Sequence, residues 1–357
     1  MLMIDGHLDL AMNALEWNRD LNLDVRAIRK LEAGMAGKGR GKGTVSLPEL
    51  RKAEVAVSLA TVIDRTTWPQ SIRPGSASQE ISYAKAQGQL AYYRVLEAQG
   101  KVRILSDWPS LQRHWRAWEE HSASPSEPGP PLGFILSMEG ADPIVWPEQV
   151  LSWWEDGLRV IGPTHYGISA YAYGTGLPGP LTDRGPELLR EMDRVGMVLD
   201  LTHLAEQAFW QALDLFRGPV LASHNNCRAL VPGDRQFSDD QVRAIAQRGG
   251  VIGVALDAWM LYPGWVIGQT RPDVVTMEAV AEQIDHICQV LGNADHAAIG
   301  SDLDGGYGTE QTPGDLDTIA DLQKIPDLLR RRGYSEEDVR KVMHDNWLRF
   351  FHDAWAT

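Results

Sequence analysis

The chain has 357 residues, of which 43% are hydrophobic and 23% charged, a composition that supports a large buried core. Its formal net charge of −14 disfavours a nucleic-acid partner, because phosphate binding depends on Lys and Arg side chains. No apolar run approaches the about 20 residues that span a bilayer, so we expect a small-molecule substrate and no membrane partner.

Short apolar runs recur along the chain, and stretches with the helical spacing of apolar residues separate them. Eight strands are predicted, over residues 2–4, 55–63, 133–137, 160–161, 197–201, 219–222, 251–255 and 297–299. Amphipathic helices are predicted over 204–216, 238–247 and 277–291. This alternation predicts a parallel α/β sheet, and eight units predict a closed (β/α)₈ TIM-like barrel in a single domain over residues 1–357. The alternative, an open doubly wound sheet, predicts a Gly-rich phosphate turn after the first strand, which this chain lacks.

Two segments interrupt this alternation. Residues 34–44, GMAGKGRGKGT, resemble a phosphate-binding loop in composition, but Gly43 follows Lys42 where Ser or Thr is required. We therefore expect a mobile surface segment there. Residues 122–131, SASPSEPGPP, have the composition of a linker and end a long excursion over about 65–132, which includes a helical pattern at 80–98. This excursion is predicted to be an insertion between the second and third strands.

The first predicted strand leads into the motif Asp5-Gly6-His7-Leu8-Asp9. Side chains two apart in a strand project to the same side, so His7 and Asp9 reach one common point that suits a metal ion. Taken alone, such a pair is more typical of an ordinary solvated strand end, and a metal site needs ligands from elsewhere in the chain. The strand also begins too early for an export signal, which, together with two cysteines in no Cys-x-x-Cys pair, predicts a cytoplasmic protein.

Residues that can bind metals or carry protons follow six of the eight predicted strands. In a parallel barrel the carboxyl ends of all strands open on one face, where the active site lies. Imidazole and carboxylate ligands suit zinc and its neighbours, and two ions about 3.5–4 Å apart need a bridging carboxylate, for which Glu139 is our candidate. The residues at the strand ends are His7, Asp9, Glu139, His165, His203, His224 and Asp302.

Several motifs contain these residues, in the order Asp5-Gly6-His7-x-Asp9, Glu139-Gly140, Thr164-His165, Asp200-x-Thr202-His203, Ser223-His224 and Gly300-Ser301-Asp302-x-Asp304-Gly305. Their order and spacing resemble those of the membrane (renal-type) dipeptidase family, whose bacterial members are soluble. The resemblance covers nearly the whole chain, because residues 47–52 and 346–351 also resemble flanking motifs of the family.

The resemblance implies a hydrolase that binds two zinc ions and cleaves the single peptide bond of dipeptides. By analogy, His7 and Asp9 bind one ion, His203 and His224 bind the other, and Glu139 lies between them. The ions lower the pKa of a bridging water, which attacks the peptide carbonyl as hydroxide. The resemblance also suggests a homodimer, and tolerance of a D-residue or a β-lactam-like amide at the C-terminal position of the substrate.

Three further residues receive roles from the same resemblance. Asp302 takes the proton of the attacking water and passes it to the leaving amine. His165 stabilises the carbonyl oxygen as it gains charge. Arg235 binds the C-terminal carboxylate of the substrate through two parallel hydrogen bonds, with Arg228 as the competing candidate.

Because of two departures from the family pattern, the resemblance does not predict the shape of the substrate pocket. Leu8 stands where members often carry Asn, and the segment after His165 lacks an Asn often found there. The aromatic residues Trp17, Tyr171, Tyr173 and Trp259 either line a side-chain pocket or contribute to packing. Two alternatives to a dipeptidase are an amidase or lactonase that acts on N-acyl amino acids with the same metals, and a non-catalytic binding protein on the same scaffold.

Overall fold

The computed structural model describes residues 1–125 and 129–355, so the middle of the predicted linker lies outside the described residues. All eight predicted strands are present, and a further short one lies between the second and third. The strands are β1 (Met3–Leu8), β2 (Val55–Ile63), β3 (Val102–Ile104), β4 (Leu132–Glu139), β5 (Leu158–Gly162), β6 (Val198–Asp200), β7 (Val220–Leu221), β8 (Ile252–Val254) and β9 (Ala297–Ile299).

These strands form a curled parallel sheet. Six strands follow one another in the order β1-β2-β4-β5-β6-β7, β3 pairs with the start of β4, and β8 pairs with β9. The sheet continues from β7 to β8 through a parallel bridge between Ala222 and Ile252. It returns from β9 to β1 where the amide of Asp302 donates to the carbonyl of His7 at 3.2 Å. The predicted (β/α)₈ class of barrel is confirmed.

Helices follow the strands and cover the sheet. The predicted helices at 80–98, 204–216, 238–247 and 277–291 are confirmed within one or two residues at each end, as α4, α8, α9 and α10. The helices are α1 (Leu10–Leu15), α2 (Val25–Leu31), α3 (Leu47–Lys52), α4 (Gln79–Ala98), α5 (Trp108–Ala123), α6 (Val150–Glu155), α7 (Gly185–Val195), α8 (Glu206–Leu215), α9 (Asp239–Gln247), α10 (Met277–Leu291), α11 (Ile325–Arg331), α12 (Glu336–Arg340) and α13 (Asn346–Trp355). No helix within the described ranges is both long and apolar enough to cross a membrane.

The excursion between β2 and β4 packs against the barrel. Side chains of α4 reach the end of β2, where the Tyr93 hydroxyl donates to the Thr61 carbonyl at 2.8 Å and the Gln89 amide donates to the Ile63 carbonyl at 2.7 Å. The missed strand β3 has only three residues, and Arg103 at its centre is exposed. So short a run around a charged residue carries no strand pattern, and pairing with β4 alone makes it a strand.

Glycines allow the strands to approach closely beneath the site. A Cβ placed on Gly6, Gly253 or Gly300 would lie 2.6, 2.1 or 1.8 Å from the carbonyl oxygen of Ser223. Only glycine fits at such distances, so strand β1 and the residues around β8 and β9 close upon the chain just after β7. This close approach fixes the position of His224, the next residue.

Candidate metal centre

Five buried side chains meet at the carboxyl ends of the strands, and we call them the metal cluster: His7, Asp9, Glu139, His203 and His224. Two of them, His7 and Glu139, belong to β1 and β4, and the others follow β1, β6 and β7. Each donor atom lies close to others from distant parts of the chain. The structure thus brings together all five residues that the sequence predicts as metal ligands.

Glu139 stands at the centre, and its two carboxylate oxygens face different groups. Its Oε1 lies 3.1 Å from His203 Nε2 and 3.2 Å from His224 Nε2. Its Oε2 lies 3.7 Å from His7 Nε2, which in turn lies 3.7 Å from Asp9 Oδ1. Three sets of donors lie within 4.8 Å of one another: Glu139–His203–His224, His7–Asp9–Glu139 and His7–His224–Asp302, and Glu139 belongs to the first two. One carboxylate shared by two donor sets is the geometry that a bridging ligand requires.

The imidazoles are oriented by hydroxyl groups behind them. His203 Nδ1 lies 2.9 Å from Thr175 Oγ1, and His224 Nδ1 lies 2.8 Å from Ser223 Oγ. A hydrogen bond donated through Nδ1 leaves the lone pair of Nε2 directed into the cluster. Hydroxyls in these positions hold the orientation of both rings, and each can accept a hydrogen bond from Nδ1 while Nε2 binds a metal ion.

Two buried donor atoms in the cluster lack hydrogen-bond partners, and these are His7 Nε2 and Asp9 Oδ1. Polar atoms buried without a partner cost stability, so they indicate a ligand that satisfies them. Three imidazoles and two carboxylates, with no thiolate, suit Zn²⁺ or a similar divalent ion. The residues therefore fit the metal that they are predicted to bind.

The charged groups of the metal cluster shift one another's pKa values. Burial opposes a charged His7, but the carboxylates of Glu139 and Asp9 outweigh it and hold the His7 pKa well above its ordinary value. Burial lowers the pKa of His203 and of His224 well below the ordinary value, which leaves both rings neutral. Neutral imidazole is the form that binds a metal ion, so two of the three histidines are already in that form.

Backbone strain coincides with the site. His203 and Asp302 adopt positive φ angles of 67° and 56°, a region that non-glycine residues rarely occupy. Residues in this region cost about 1–3 kcal/mol each and persist where the surrounding structure requires them. The turns after β6 and β9 therefore keep an unfavourable backbone conformation, which places the side chains of His203 and Asp302 at the site.

His165 and Asp302 lie beside the cluster. His165 Nε2 is 3.6 Å from Glu139 Oε1, and burial lowers the His165 pKa well below its ordinary value, so the ring is neutral. Asp302 Oδ1 is 3.9 Å from His7 Nε2. Burial and the carboxylates of Glu139 and Asp9 raise the Asp302 pKa well above its ordinary value, against the opposing charge of His7. A neutral imidazole and a carboxyl group of raised pKa are suited to hydrogen bonding and proton transfer.

The cluster opens into a cavity of about 230 Å³. Arg235 lines this cavity, where its Nη1 donates to Asn225 at 2.6 Å, its Nη2 donates to the His224 carbonyl at 2.9 Å and its Nε has no partner. Arg228 does not line it, because its guanidinium pairs with Glu206 at 2.8 Å on the outside of the barrel. Geometry therefore favours Arg235 of the two candidate arginines.

Of the four aromatic candidates, Trp259 alone is among the residues that line the cavity. Trp17 lies under the guanidinium groups of Arg19 and Arg40, and Tyr171 is fully buried with its hydroxyl hydrogen-bonded to the Ile144 carbonyl at 2.5 Å. Tyr173 is half-buried and packs against the core. Three of the four thus contribute to packing.

The sequence missed several residues that line the cavity. Arg65 and Asp257 come two and three residues after β2 and β8, so the strand-end argument applied to these two strands would have found them. The remaining ones had no local signal because they lie on irregular segments. The missed residues are Lys38, Arg65, Arg73, Tyr166, Asp257 and Gln311.

Residues 34–44 differ from the expected mobile surface segment. They form no helix or strand, but the Gly39 amide donates to Glu310 at 2.8 Å and its carbonyl accepts from Arg19 at 2.7 Å. The Thr44 hydroxyl donates to Asp304 at 2.7 Å. Long-range hydrogen bonds therefore anchor the segment, and Lys38 within it reaches the cavity.

A second buried group of charges adjoins the cluster, and we call it the Arg19 network: Arg19, Glu32, Asp304, Asn13 and Thr44. Arg19 donates to both oxygens of Glu32, at 2.8 and 3.0 Å, and to Asp304 at 3.1 Å. Asn13 links the two groups, because its amide donates to the carbonyls of Asp9 and Asp304 at 3.0 and 2.9 Å. Asp304 of the Asp302-x-Asp304 motif thus belongs to the support of the site.

Comparison with known proteins identifies the family. The chain matches the family model of the membrane dipeptidases, peptidase family M19, over residues 1–356. It is 31% identical over 210 residues to a protein from the pqqA 5′ region of Klebsiella pneumoniae, which is 56% of this chain and 73% of that protein. It is 30% identical over 205 residues to the dipeptidase tcpJ of Claviceps purpurea, which is 56% of this chain but only 45% of that protein.

Solved structures show the same fold over the full chain. The dipeptidase AC, a metallopeptidase of family M19, superposes with a TM-score of 0.79 at 23% identity and covers 100% of this chain and 99% of its own. A metallopeptidase from Rhodobacter sphaeroides, bound to a phosphinate mimic of L-Ala-D-Ala, gives a TM-score of 0.78 at 22% identity, with 99% of both chains covered. The chain therefore belongs to the membrane dipeptidase family, peptidase family M19, and is a metallo-dipeptidase.

Proposed function

We propose that the protein hydrolyses dipeptides with two zinc ions, held by His7 and Asp9 on one side and by His203 and His224 on the other, with Glu139 shared between them. The observation that carries this proposal is the division of the Glu139 oxygens, Oε1 at 3.1 Å from His203 Nε2 and Oε2 at 3.7 Å from His7 Nε2. Two divalent ions supply Lewis acidity and lower the pKa of a bound water towards neutrality.

The side chains around the ions perform the remaining steps. Asp302, whose pKa is raised by burial, accepts a proton from the attacking water and delivers it to the leaving amine. His165, neutral through burial, donates a hydrogen bond to the carbonyl oxygen as that oxygen gains charge. Both groups lie within 4 Å of cluster atoms, so neither needs a large movement to reach the scissile bond.

Arg235 supplies the contact that restricts the substrate to a dipeptide. It is buried, and two of its donors are held by Asn225 and by the His224 carbonyl, which fixes the direction of the guanidinium. The Nε atom remains without a partner. A carboxylate one residue beyond the scissile bond satisfies this donor, whereas a longer peptide places an uncharged amide there.

The test is hydrolysis of a mixed library of L,L and L,D dipeptides by zinc-loaded protein, with the metal content measured by elemental analysis. We expect two zinc ions per chain and release of both amino acids. N-acetylated dipeptides and N-acyl amino acids in the same library distinguish an amidase, which cleaves them, from a dipeptidase. No turnover at verified double occupancy would refute the enzymatic proposal, and ligand binding under that condition would favour a binding protein.

We further propose that residues 1–357 form one domain, because α4 of the excursion contributes Leu90, Tyr93 and Leu96 to the main core. Limited proteolysis that yields two stable fragments would contradict this. A cytoplasmic location and a homodimer stay predictions. Cell fractionation and light scattering, respectively, measure them.

A further inference from the structure

Three cations that the sequence did not predict line the cavity, and we call them the cationic rim: Lys38, Arg65 and Arg73. Elsewhere on this acidic chain exposed arginines commonly pair with carboxylates, as Arg94 does with Asp156 at 2.6 Å and Arg330 with Glu336 at 2.6 Å. Within the described part of the chain, the three rim side chains form no ion pair or hydrogen bond. Cations left unpaired at one cavity of a chain with net charge −14 attract an anionic ligand there.

Arg65 is half-buried and lines the same cavity as Asp9, Glu139 and His165. The neighbouring Asp64 does not neutralise it, because that carboxylate accepts from Ser76 at 2.5 Å and pairs with Lys85 at 3.2 Å. Arg65 is therefore positioned to contact a substrate beside the metal cluster.

Arg73 is brought to the same side by the backbone. The Ser76 amide donates to the Arg65 carbonyl at 2.7 Å, and the Thr67 amide donates to the Ser76 carbonyl at 2.8 Å, which closes the loop between them. The Arg73 guanidinium lies 5.2 Å from the centre of the Tyr166 ring, next to His165. The loop thus presents two guanidinium groups to one wall of the cavity.

Lys38 is the third cation of the rim, and the carboxylate of Asp257 lies near it. Lys38 acts on Asp257, whose carboxylate accepts from Gln311 at 2.7 and 2.8 Å and whose pKa is raised by burial to about 6. Lys38 therefore has a carboxylate near it in the cavity, whereas Arg65 and Arg73 form no ion pair within the described residues.

We propose that Arg65 and Arg73 form a subsite for a side-chain carboxylate, so that the preferred substrates are dipeptides with one acidic residue. This rests on the proposed dipeptidase activity, in which Arg235 already binds the terminal carboxylate. A neutral side chain desolvates the two guanidinium groups without replacing their water, whereas a carboxylate pairs with them bidentately. The subsite therefore selects acidic side chains in two ways. It attracts a carboxylate, and a neutral side chain leaves two cations without a partner.

The test compares kcat/KM of zinc-loaded protein for L-Ala-L-Ala, L-Glu-L-Ala, L-Ala-L-Glu and L-Ala-L-Lys. We expect one acidic isomer to exceed L-Ala-L-Ala by about tenfold, mainly through KM, and L-Ala-L-Lys to be the poorest. In the double variant Arg65→Met/Arg73→Met the acidic-to-neutral ratio falls to about one. The double Lys variant retains part of the preference, and Arg190→Met on the exposed face of α7 leaves the ratio unchanged.

Calorimetric binding of the same peptides to metal-free protein separates this inference from the activity. If no peptide is hydrolysed at double zinc occupancy, the dipeptidase proposal fails, while a tenfold tighter binding of an acidic isomer that the double Met variant loses still supports the subsite. Equal kcat/KM and equal affinity for acidic and neutral dipeptides would overturn the subsite and leave the activity intact. A preference that persists in the double Met variant would also overturn it.

Discussion

Two clusters of buried charge lie side by side at the same end of the barrel, and they differ in how their polar atoms are satisfied. In the Arg19 network every nitrogen of the guanidinium donates a hydrogen bond, to Glu32, Asn13, Asp304 or the Gly39 carbonyl. Asp304 in turn accepts from the Thr44 amide and hydroxyl at 2.8 and 2.7 Å. The network is complete without any ligand.

The metal cluster is equally buried but incomplete. His7 Nε2 and Asp9 Oδ1 have no hydrogen-bond partner, and the carboxylates of Asp9, Glu139 and Asp302 all lie within 4 Å of His7 Nε2. Burial does not distinguish the two clusters, whereas hydrogen-bond satisfaction of the charged groups does. The unpartnered atoms of the metal cluster therefore point to a ligand, whereas the Arg19 network points to structural support.

The largest effect is expected within the metal cluster, from Asp302→Asn. The amide has nearly the same shape but cannot accept the proton of the attacking water, so kcat should fall about 10⁴-fold, or about 5 kcal/mol, with both zinc ions retained. Steady-state kinetics and elemental analysis measure the two quantities. Loss of zinc from this variant would make Asp302 a ligand and contradict the proton-transfer role.

A substitution in the Arg19 network should lower the stability of the fold and not act on the chemical step. Arg19→Met leaves the carboxylates of Glu32 and Asp304 buried without their partner, which should lower the free energy of unfolding by about 4 kcal/mol. Denaturant unfolding measures this, with Arg190→Met as the matched control on an exposed helix face. Little change in stability would show that the network is not the support that its hydrogen bonds indicate.

Removal of the metal ions should distinguish the two clusters by their contributions to stability. At a free zinc concentration about a hundredfold above Kd, each bound ion stabilises the fold by about 3 kcal/mol, and chelation removes this contribution. The Arg19→Met variant should lose the same amount on chelation, because its network binds no ion. A Tm that is insensitive to chelator in the wild type would argue against resident metals.

The smallest of these effects is expected at the cavity wall. Arg235→Met should raise KM about tenfold, or 1.4 kcal/mol, for dipeptides with a free C-terminal carboxylate, and should not alter the KM for C-terminal amides. Comparison of the two substrate series measures it. An unchanged KM for free dipeptides would move the carboxylate contact to another residue.

The barrel was predictable because parallel strands buried on both faces read as continuous apolar runs with helices between them. The metal ligands were predictable for a related reason, since His7, Glu139 and His203 lie at or just after strand ends, and all such ends open on one face. Family resemblance then assigned their roles. Strand β3 was missed because three residues around the exposed Arg103 are too few to show an alternation of apolar and polar side chains.

The cavity wall was not predictable in the same way. Lys38 and Arg73 lie on irregular segments, whose course depends on distant partners such as Glu310 for Gly39 and Ser76 for Arg65. The sequence was sufficient to identify the donor atoms and the end of the barrel at which they meet, because strand periodicity is local. Which charges face the substrate, and which carboxylates already have partners, followed only from the folded chain, since those contacts join residues far apart in sequence.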